Sequence, residues 1–404
     1  MSEFIKNVPA LRFLEFDDKW QVKKLGNVCK FQQGIQVDLE LQSRECFSGS
    51  IRFLRIENFT QKSQDFRYIP IALAKSKFIT KDEIAVVRYG ATAGFIGRGF
   101  EGVIANNLFK LLPNFEFIKQ DYLYHYLKGH KVYSFFQSEM AGGAMPALSF
   151  GIVEILKLPL PSTTEQQKIA DFLSSVDKKI EQLTEKHRLL TEYKKGVMQQ
   201  IFTQQIRFKD NQGNDYPEWV EKRLGSLVEI MNGLTYSPDD IVEDGLLVLR
   251  SSNIKNGRLV FTDNVFVNVD VKKTAYTQKN DILVCVRNGS KRLIGKNVLV
   301  KGSFPTATHG AFMTVLRGES NEFISHWFQM DDYYKQVHQN LGATINSING
   351  SDLKKFKLSI PPSKEEQQKI ANFLTEIDQK IEQAWSTLEQ TKAFKKGLLQ
   401  KMFV

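Results

Sequence analysis

The sequence predicts an α+β chain built twice: two pseudo-symmetric mixed α/β domains separated by two long helices that form an antiparallel coiled coil. Three observations predict it. First, Glu165-Gln166-Gln167-Lys168-Ile169-Ala170 returns as Glu366-Gln367-Gln368-Lys369-Ile370-Ala371, an offset of 201 (366 − 165). Second, each copy opens a sustained heptad pattern. Third, the segment ahead of each copy alternates short apolar runs with Gly- and Asn-rich turns. A duplicated chain folds as two similar units, an arrangement suited to a target with two halves.

The duplication sets the order of elements. Arg12-Phe13 matches Arg207-Phe208 as a lead-in. Trp20 and Trp219 then open matching segments at an offset of 199 (219 − 20). Gly34 and Gly233 keep that offset, as do Asp82 and Asp281, Arg88 and Arg287, Gly90 and Gly289, and Gly143-Ala144 and Gly342-Ala343. The expected domains are 1–160, a central helix over 161–205, a second domain over 206–361 and a closing helix over 362–404. Within the domains, Ile84–Val87 and Ile282–Val286 read as strands, and Asp121–Phe136 and Glu322–Val337 as aromatic-rich helices. The framework is kept while the loops diverge, which points to different recognition by each half. Neutral drift after an old duplication is the plain alternative.

The long helices carry the clearest signals. Ser162-x-x-Glu165 and Ser363-x-x-Glu366 read as capping boxes just after a proline. The apolar seam runs through Ile169, Leu173, Val176, Ile180, Leu183 and Leu190 in the first helix, and through Ile370, Leu374, Ile377, Ile381 and Leu388 in the second. About forty residues of helix span on the order of 60 Å. His187, Lys194 and Lys395 are polar seats in this seam, read as setting register or snorkelling at a fraying end. The other reading is that this end diverges and meets a partner protein.

Composition narrows the class. At 404 residues, two or more cores are the default. With 42% hydrophobic and 25% charged residues, this is an ordinary soluble composition. A net charge of +10 favours an anionic partner, most commonly nucleic acid, over a merely basic surface. Cys29, Cys46 and Cys285 lack metal spacing and fit a reducing compartment. There is no signal-like N-terminus and no apolar run long enough to span a bilayer, so a cytoplasmic location without membrane contact is expected.

Catalytic machinery is missing. There is no phosphate loop, no His-Glu-x-x-His, no zinc-type Cys/His cluster and no methyltransferase-type Pro-Pro-aromatic; Pro361-Pro362 is followed by Ser363. Gly97-Arg98-Gly99-Phe100-Glu101-Gly102 matches a dinucleotide fingerprint on paper, but no helix opening follows it, and it reads as a loop. Asp177…Glu192-Tyr193-Lys194 imitates a nuclease triad, yet Lys194 is a heptad position on a long helix with no strand to hold such a site. The six histidines show no helical metal spacing. The chain by itself is expected to catalyse nothing and to hold no metal or cofactor.

These repeated blocks, with their Pro-x₃-Glu-Gln-Gln-Lys-Ile-Ala-x-Phe-Leu…Asp-x-Lys-Ile-Glu-Gln pattern and Lys-Lys-Gly ends, resemble the specificity (S) subunit of a Type I restriction–modification system along essentially the whole chain. The resemblance implies two target-recognition domains, each reading one half of a split sequence in double-stranded DNA. It implies that the helices act as a ruler between half-sites and as a dock for two modification (methyltransferase) subunits. Those partners would carry S-adenosylmethionine and methylate adenine N6. Restriction subunits would add translocation and cleavage, with ATP and Mg held there and not in this chain.

Beside that resemblance, base reading needs Arg for guanine and Asn or Gln for adenine, presented from turns. In the first domain the candidates are Gln32, Gln33, Arg55, Asn58, Arg88, Tyr89, Thr92, Arg98, Asn106 and Asn107. In the second they are Asn232, Arg250, Asn253, Arg287, Asn288, Ser290, Lys291, Arg292 and His309. Arg88 and Arg287 stand out because each follows a strand and precedes a glycine in both copies. For any single candidate, the plain alternative is an ordinary surface or capping side chain. The loops Gly143–Pro146 and Gly342–Ile345 are placed either against DNA or beneath the neighbouring strand. Two rival classes remain: a stand-alone bipartite DNA-binding regulator of the same architecture, and a coiled-coil adaptor whose charge is incidental.

Overall fold

Each half of the chain starts with a strand that turns back to pair with the last strand before its long helix. In the first half, Gln21–Lys24 runs antiparallel to Lys157–Leu160; in the second, Val220–Arg223 runs antiparallel to Lys357–Ile360. The computed structural model describes residues 8–74, 77–141, 146–341 and 346–403. The loop positions 143–145 and 342–345 lie outside the described residues.

Two four-stranded sheets follow in the first half. One is antiparallel, in the order Cys29–Gln33, Leu108–Pro113, Ala85–Val87, Ile96–Gly97. The other is mixed, in the order Arg67–Pro70, Ser50–Leu54, Gly102–Ile104, Phe78–Ile79, with Ser50–Leu54 and Gly102–Ile104 parallel. Ile84–Val87 is buried throughout, as an apolar run covered on both faces must be. The second half repeats this. Glu229–Asn232, Met313–Arg317, Ile282–Cys285 and Asn297–Leu299 form the antiparallel sheet. Ile241–Val242, Phe266–Val267, Leu246–Leu249 and Ala307–His309 form the mixed one, again with one parallel pair, Leu246–Leu249 with Ala307–His309.

Several expectations are corrected. The helix expected over Asp121–Phe136 is two helices, Gln120–Leu127 and His130–Glu139, broken where Gly129 turns extended to cap the second. Its counterpart divides likewise into Asn321–Trp327 and Asp331–Asn340. The Gly-x-Gly-x-x-Gly stretch, by contrast, is a loop as expected, joining the strands Ile96–Gly97 and Gly102–Ile104 with no helix after it.

The long helices run Thr163–Phe202 and Lys364–Lys401. The serine half of each expected capping box is present, Ser162 Oγ accepting from the Glu165 N–H and Ser363 Oγ from the Glu366 N–H. The glutamates do something else. Glu165 is buried and accepts from Arg12 at 2.7 and 2.8 Å and from the Trp20 indole at 3.1 Å. Glu366 accepts from Trp219 at 3.0 Å, with Arg207 alongside at 3.9 Å. Gln166 is buried next to Glu165, accepting from the Lys119 N–H and donating to the Phe117 and Pro161 carbonyls. The repeated motif therefore binds each helix start to its own domain.

The compact units do not follow the four expected segments. One comprises the chain up to Glu185 together with Trp385 onward; the other is Lys186–Ala384. In the first, Ile169, Leu173 and Val176 share a core with Trp20, Tyr122 and Leu158, and also with Leu398 of the second long helix and Met402 just beyond it. In the second, Ile370, Leu374 and Ile377 share a core with Phe323 and Trp327, and with Val197 and Ile201 of the first. The seam residues thus anchor domains as well as pairing helices. Leu183 and Leu388 are buried, Ile180, Ile381 and Leu190 half-buried.

Lys194 and Lys395 are not fraying ends. Asp177 of the first long helix pairs with Lys395 of the second, and Asp378 of the second pairs with Lys194 of the first at 2.6 Å. Partners ascend along one helix as they descend along the other, which is antiparallel pairing. The apparent Asp177…Lys194 triad is dissolved, since Asp177 and Lys194 each have their partner on the other helix and Glu192 pairs with Arg188 on its own. Among the described residues no helix is long and apolar enough to cross a membrane.

Candidate nucleic-acid interface

The two sheets of each unit meet at a glycine. A Cβ on Gly34 would lie 2.1 Å from the Ile104 carbonyl oxygen, and one on Gly233 would lie 2.0 Å from that of Gly310. No larger residue permits that approach. The chain leaving the antiparallel sheet then runs beside the end of the parallel pair, with Ile35 bridging Ala105 and Leu234 bridging Gly310. Loops from both sheets converge there.

In the first unit Gln33 donates to the Asn106 carbonyl at 2.8 Å, and the Asn106 amide bonds Gln36. The Arg88 N–H donates to the Asn107 carbonyl at 2.9 Å, and the Ala105 N–H to Leu54, just ahead of Arg55. Gln33, Arg55, Arg88, Asn106 and Asn107 are thus brought to one rim. Tyr89 and Thr92 are exposed in the turn that follows Arg88. Gln32 falls on the other side of its strand, opposite Lys110.

The second unit builds the same rim with other side chains. Asn232 takes the strand position of Gln33 and is exposed. The Arg287 N–H donates to the Phe312 carbonyl at 3.1 Å, and Asn288 donates to Ser251 Oγ at 3.2 Å, next to Arg250. Ser290 donates its N–H to Asn288, and Lys291 and Arg292 stand exposed in the next turn. Tyr236, Arg250, Ser251, Asp263 and Phe312 line a cleft of about 530 Å³ at this rim.

Four candidates are corrected. Asn58 and Asn253 are 0% exposed. Their side-chain oxygens accept from the Arg55 and Arg250 N–H groups at 2.8 and 2.9 Å, and their amides donate to carbonyls of the following loop. They shape the turn and present the arginine without reaching DNA themselves. His309 is buried in the parallel pair with Nε2 on the Met231 carbonyl at 3.0 Å, and burial lowers its pKa. Arg98 is tied to Asp121 and lies over the Tyr124 ring at 3.9 Å, away from the rim. Arg55 and Arg250 are themselves partly engaged, by Glu57 at 2.8 Å and Asp263 at 3.0 Å, and remain half-buried with an unpartnered Nε in both units.

The pairing of Arg88 with Arg287 is also corrected. Val87 sits opposite Leu108 and Cys285 opposite Met313. The Arg88 carbonyl accepts from Leu148 and the Val286 carbonyl from Ile348. Tyr89 bridges Ala147 and Arg287 bridges Ser347. Tyr89 is therefore the counterpart of Arg287, and Val286 that of Arg88. The offset here is 198 (287 − 89), one less than the sequence match suggests. The same slip makes Glu83, not Asp82, the counterpart of Asp281: their carboxylates accept from the Thr80 and Gln278 N–H groups. A one-residue slip in extended chain reverses which face a side chain takes. Phe312, which reasoning from turns passed over, is exposed at the rim. Its signal was its place directly before the strand Met313–Arg317.

A family model for the Type I restriction modification DNA specificity domain matches residues 17–191 and again 216–390. The MjaVIII specificity subunit of a Type I restriction enzyme from Methanocaldococcus jannaschii is 26% identical over 98% of this chain and 94% of its own. The EcoKI specificity subunit of Escherichia coli is 29% identical over 40% of this chain and 37% of its own. Among solved structures, the Type I restriction–modification S subunit from M. genitalium has the same fold, with a TM-score of 0.66 at 16% identity over 98% of this chain and 99% of that one. With the specificity domain present twice over most of its length, the chain belongs to the Type I restriction–modification DNA specificity subunits.

Proposed function

We propose that each unit reads one half of a bipartite double-stranded DNA target through its converging rim. The paired helices set the distance between the half-sites and dock two modification subunits. The observation that carries this reading is the repeated rim: the same backbone junction in both units, furnished with different polar side chains. Gln33, Asn106 and Asn107 are the adenine-type readers of the first unit, with Arg55 and Arg88 the guanine-type readers. Asn232, Asn288, Arg250 and Arg287 take those roles in the second. Lys291 and Arg292 add phosphate contacts that position without specifying. Adenine-N6 methylation with S-adenosylmethionine belongs to the modification subunits. ATP-driven translocation and cleavage, with Mg, belong to the restriction subunits. The complex works in the cytoplasm.

The test is co-expression with the modification subunit of the same genome, followed by sequencing of host DNA for N6-methyladenine. One bipartite motif, methylated in both halves and lost when this chain is omitted, is the expected result. A stable complex that leaves no motif rejects the reading and favours the stand-alone regulator.

A further inference from the structure

We infer that each unit reads a guanine with one arginine held over an exposed aromatic ring, and that Tyr89 and Phe312 are the positioning residues for Arg88 and Arg287. The inference rests on the function proposed above and names the bases and the side chains.

The rim has two adjacent seats in each unit, defined by the backbone. One follows the strand Ala85–Val87 or Ile282–Cys285 and holds Tyr89 or Arg287, each bridged to the chain at Ala147 or Ser347. The other precedes the strand Leu108–Pro113 or Met313–Arg317 and holds Asn107 or Phe312. The aromatic has changed seats between the units, yet the arginine–aromatic pair is kept. Arg88 Cζ lies 5.0 Å from the Tyr89 ring centroid and 4.8 Å from that of Phe150. Arg287 Cζ lies 6.0 Å from the Phe312 centroid. Tyr89 is 36% exposed and Phe312 54%, so both rings are open at the rim where a base would approach.

Neither arginine is drawn into an ion pair among the described residues, unlike Arg98, Arg55 and Arg250. A guanidinium lying on a ring keeps its N–H donors in its own plane, at the edge. That edge matches the O6 and N7 acceptors of guanine in the major groove. The ring removes rotamer freedom that a long side chain otherwise loses on binding. The side-chain oxygen of Asn107 and Nε of Arg88 are enclosed without partners in the first unit, leaving polar groups behind the rim that a bridging water would satisfy.

The experiment maps methylation by the complete modification complex carrying Arg287→Ala, Phe312→Ala or Phe312→Tyr. Arg287→Ala is expected to relax one guanine of a single half-site, with discrimination falling about tenfold. Phe312→Ala relaxes the same position by about threefold, and Phe312→Tyr, which keeps the ring, restores it. Tyr89→Ala acts likewise on the other half only. Loss that is uniform across all sequences, an unchanged motif, or a wild-type motif with no guanine in either half overturns the inference. These outcomes leave the proposed function standing, because a bipartite motif is still read. Absence of any bipartite motif with the wild-type chain is instead the failure of the proposed function.

Discussion

Glu165 carries a contact that no local rule anticipates. A glutamate three residues after a serine at a helix start normally returns to the backbone of the cap. Here Arg12 and Trp20 take both its oxygens in a site shielded from water. In the second copy Trp219 alone donates to Glu366, while Arg207 stands 3.9 Å away and bonds Glu218 instead. Replacing Glu165 by Gln keeps an acceptor for Trp20 and removes the charge beneath Arg12. We expect a loss of about 2 kcal/mol, read as a lower denaturation midpoint. An unchanged midpoint would show that the pair adds nothing beyond packing.

At the level of the helices, the duplicated ion pairs sit against buried histidines. His125 Nδ1 is 3.8 Å from Asp177 and its Nε2 is 3.0 Å from Ser174 Oγ; His326 Nδ1 is 3.9 Å from Asp378. Burial pushes His125 down to about 4, with Lys395 and Arg98 acting in the same sense and Asp177 and Asp121 against. His326 is pushed down to about 3 by burial, with Lys194 and Lys301 helping. An unfolded histidine near 6.5 binds a proton before these do, so the unfolded state gains protons first on acidification. The stability from both clusters is complete above about pH 6.5 and is lost as pH falls, towards about 4 for His125 and about 3 for His326. Denaturant midpoints at pH 7.5 and 5.0 should show the wild type weaker at 5.0 and His125→Phe less sensitive to the change. Equal sensitivity would remove His125 from the explanation. The proposed ruler role of the helices is tested by their length. Deleting Lys178–Thr184 together with Gln379–Trp385 removes one heptad from each helix, a rise of about 10 Å or about three base pairs. The mapped gap between half-sites should shorten by that amount, and a constant gap would mean that something other than helix length sets it.

For the molecule as a whole, charge and duplication act together. A net charge of +10 is spread over a chain whose two rims each offer cationic and amide side chains. Binding through phosphate contacts releases counterions, so affinity for DNA should fall by two orders of magnitude or more between about 50 and about 200 mM salt. A flat salt response, measured on the complex with its modification subunits, would instead favour the adaptor reading, in which charge is incidental. The division of each long helix between two compact units also explains why the repeat is uninterrupted over the helices and ragged elsewhere. The apolar seams of the helices pack into the two cores, while the rims differ in side chain between the units.

The duplication, the long helices, their antiparallel pairing and the family were all legible in the chain, because heptad spacing and a gapless repeat are local, periodic signals. The absence of familiar catalytic motifs was legible for the same reason. The rims were legible only in part. Arg-Tyr-Gly and Arg-Asn-Gly look alike in sequence, yet strand register places Tyr89, not Arg88, at the seat of Arg287. Asn58, Asn253 and His309 have the right chemistry for reading bases, and only packing shows them enclosed. Side-chain type is written locally, whereas burial and facing depend on which distant strand lies alongside, and that pairing is settled by the assembled core.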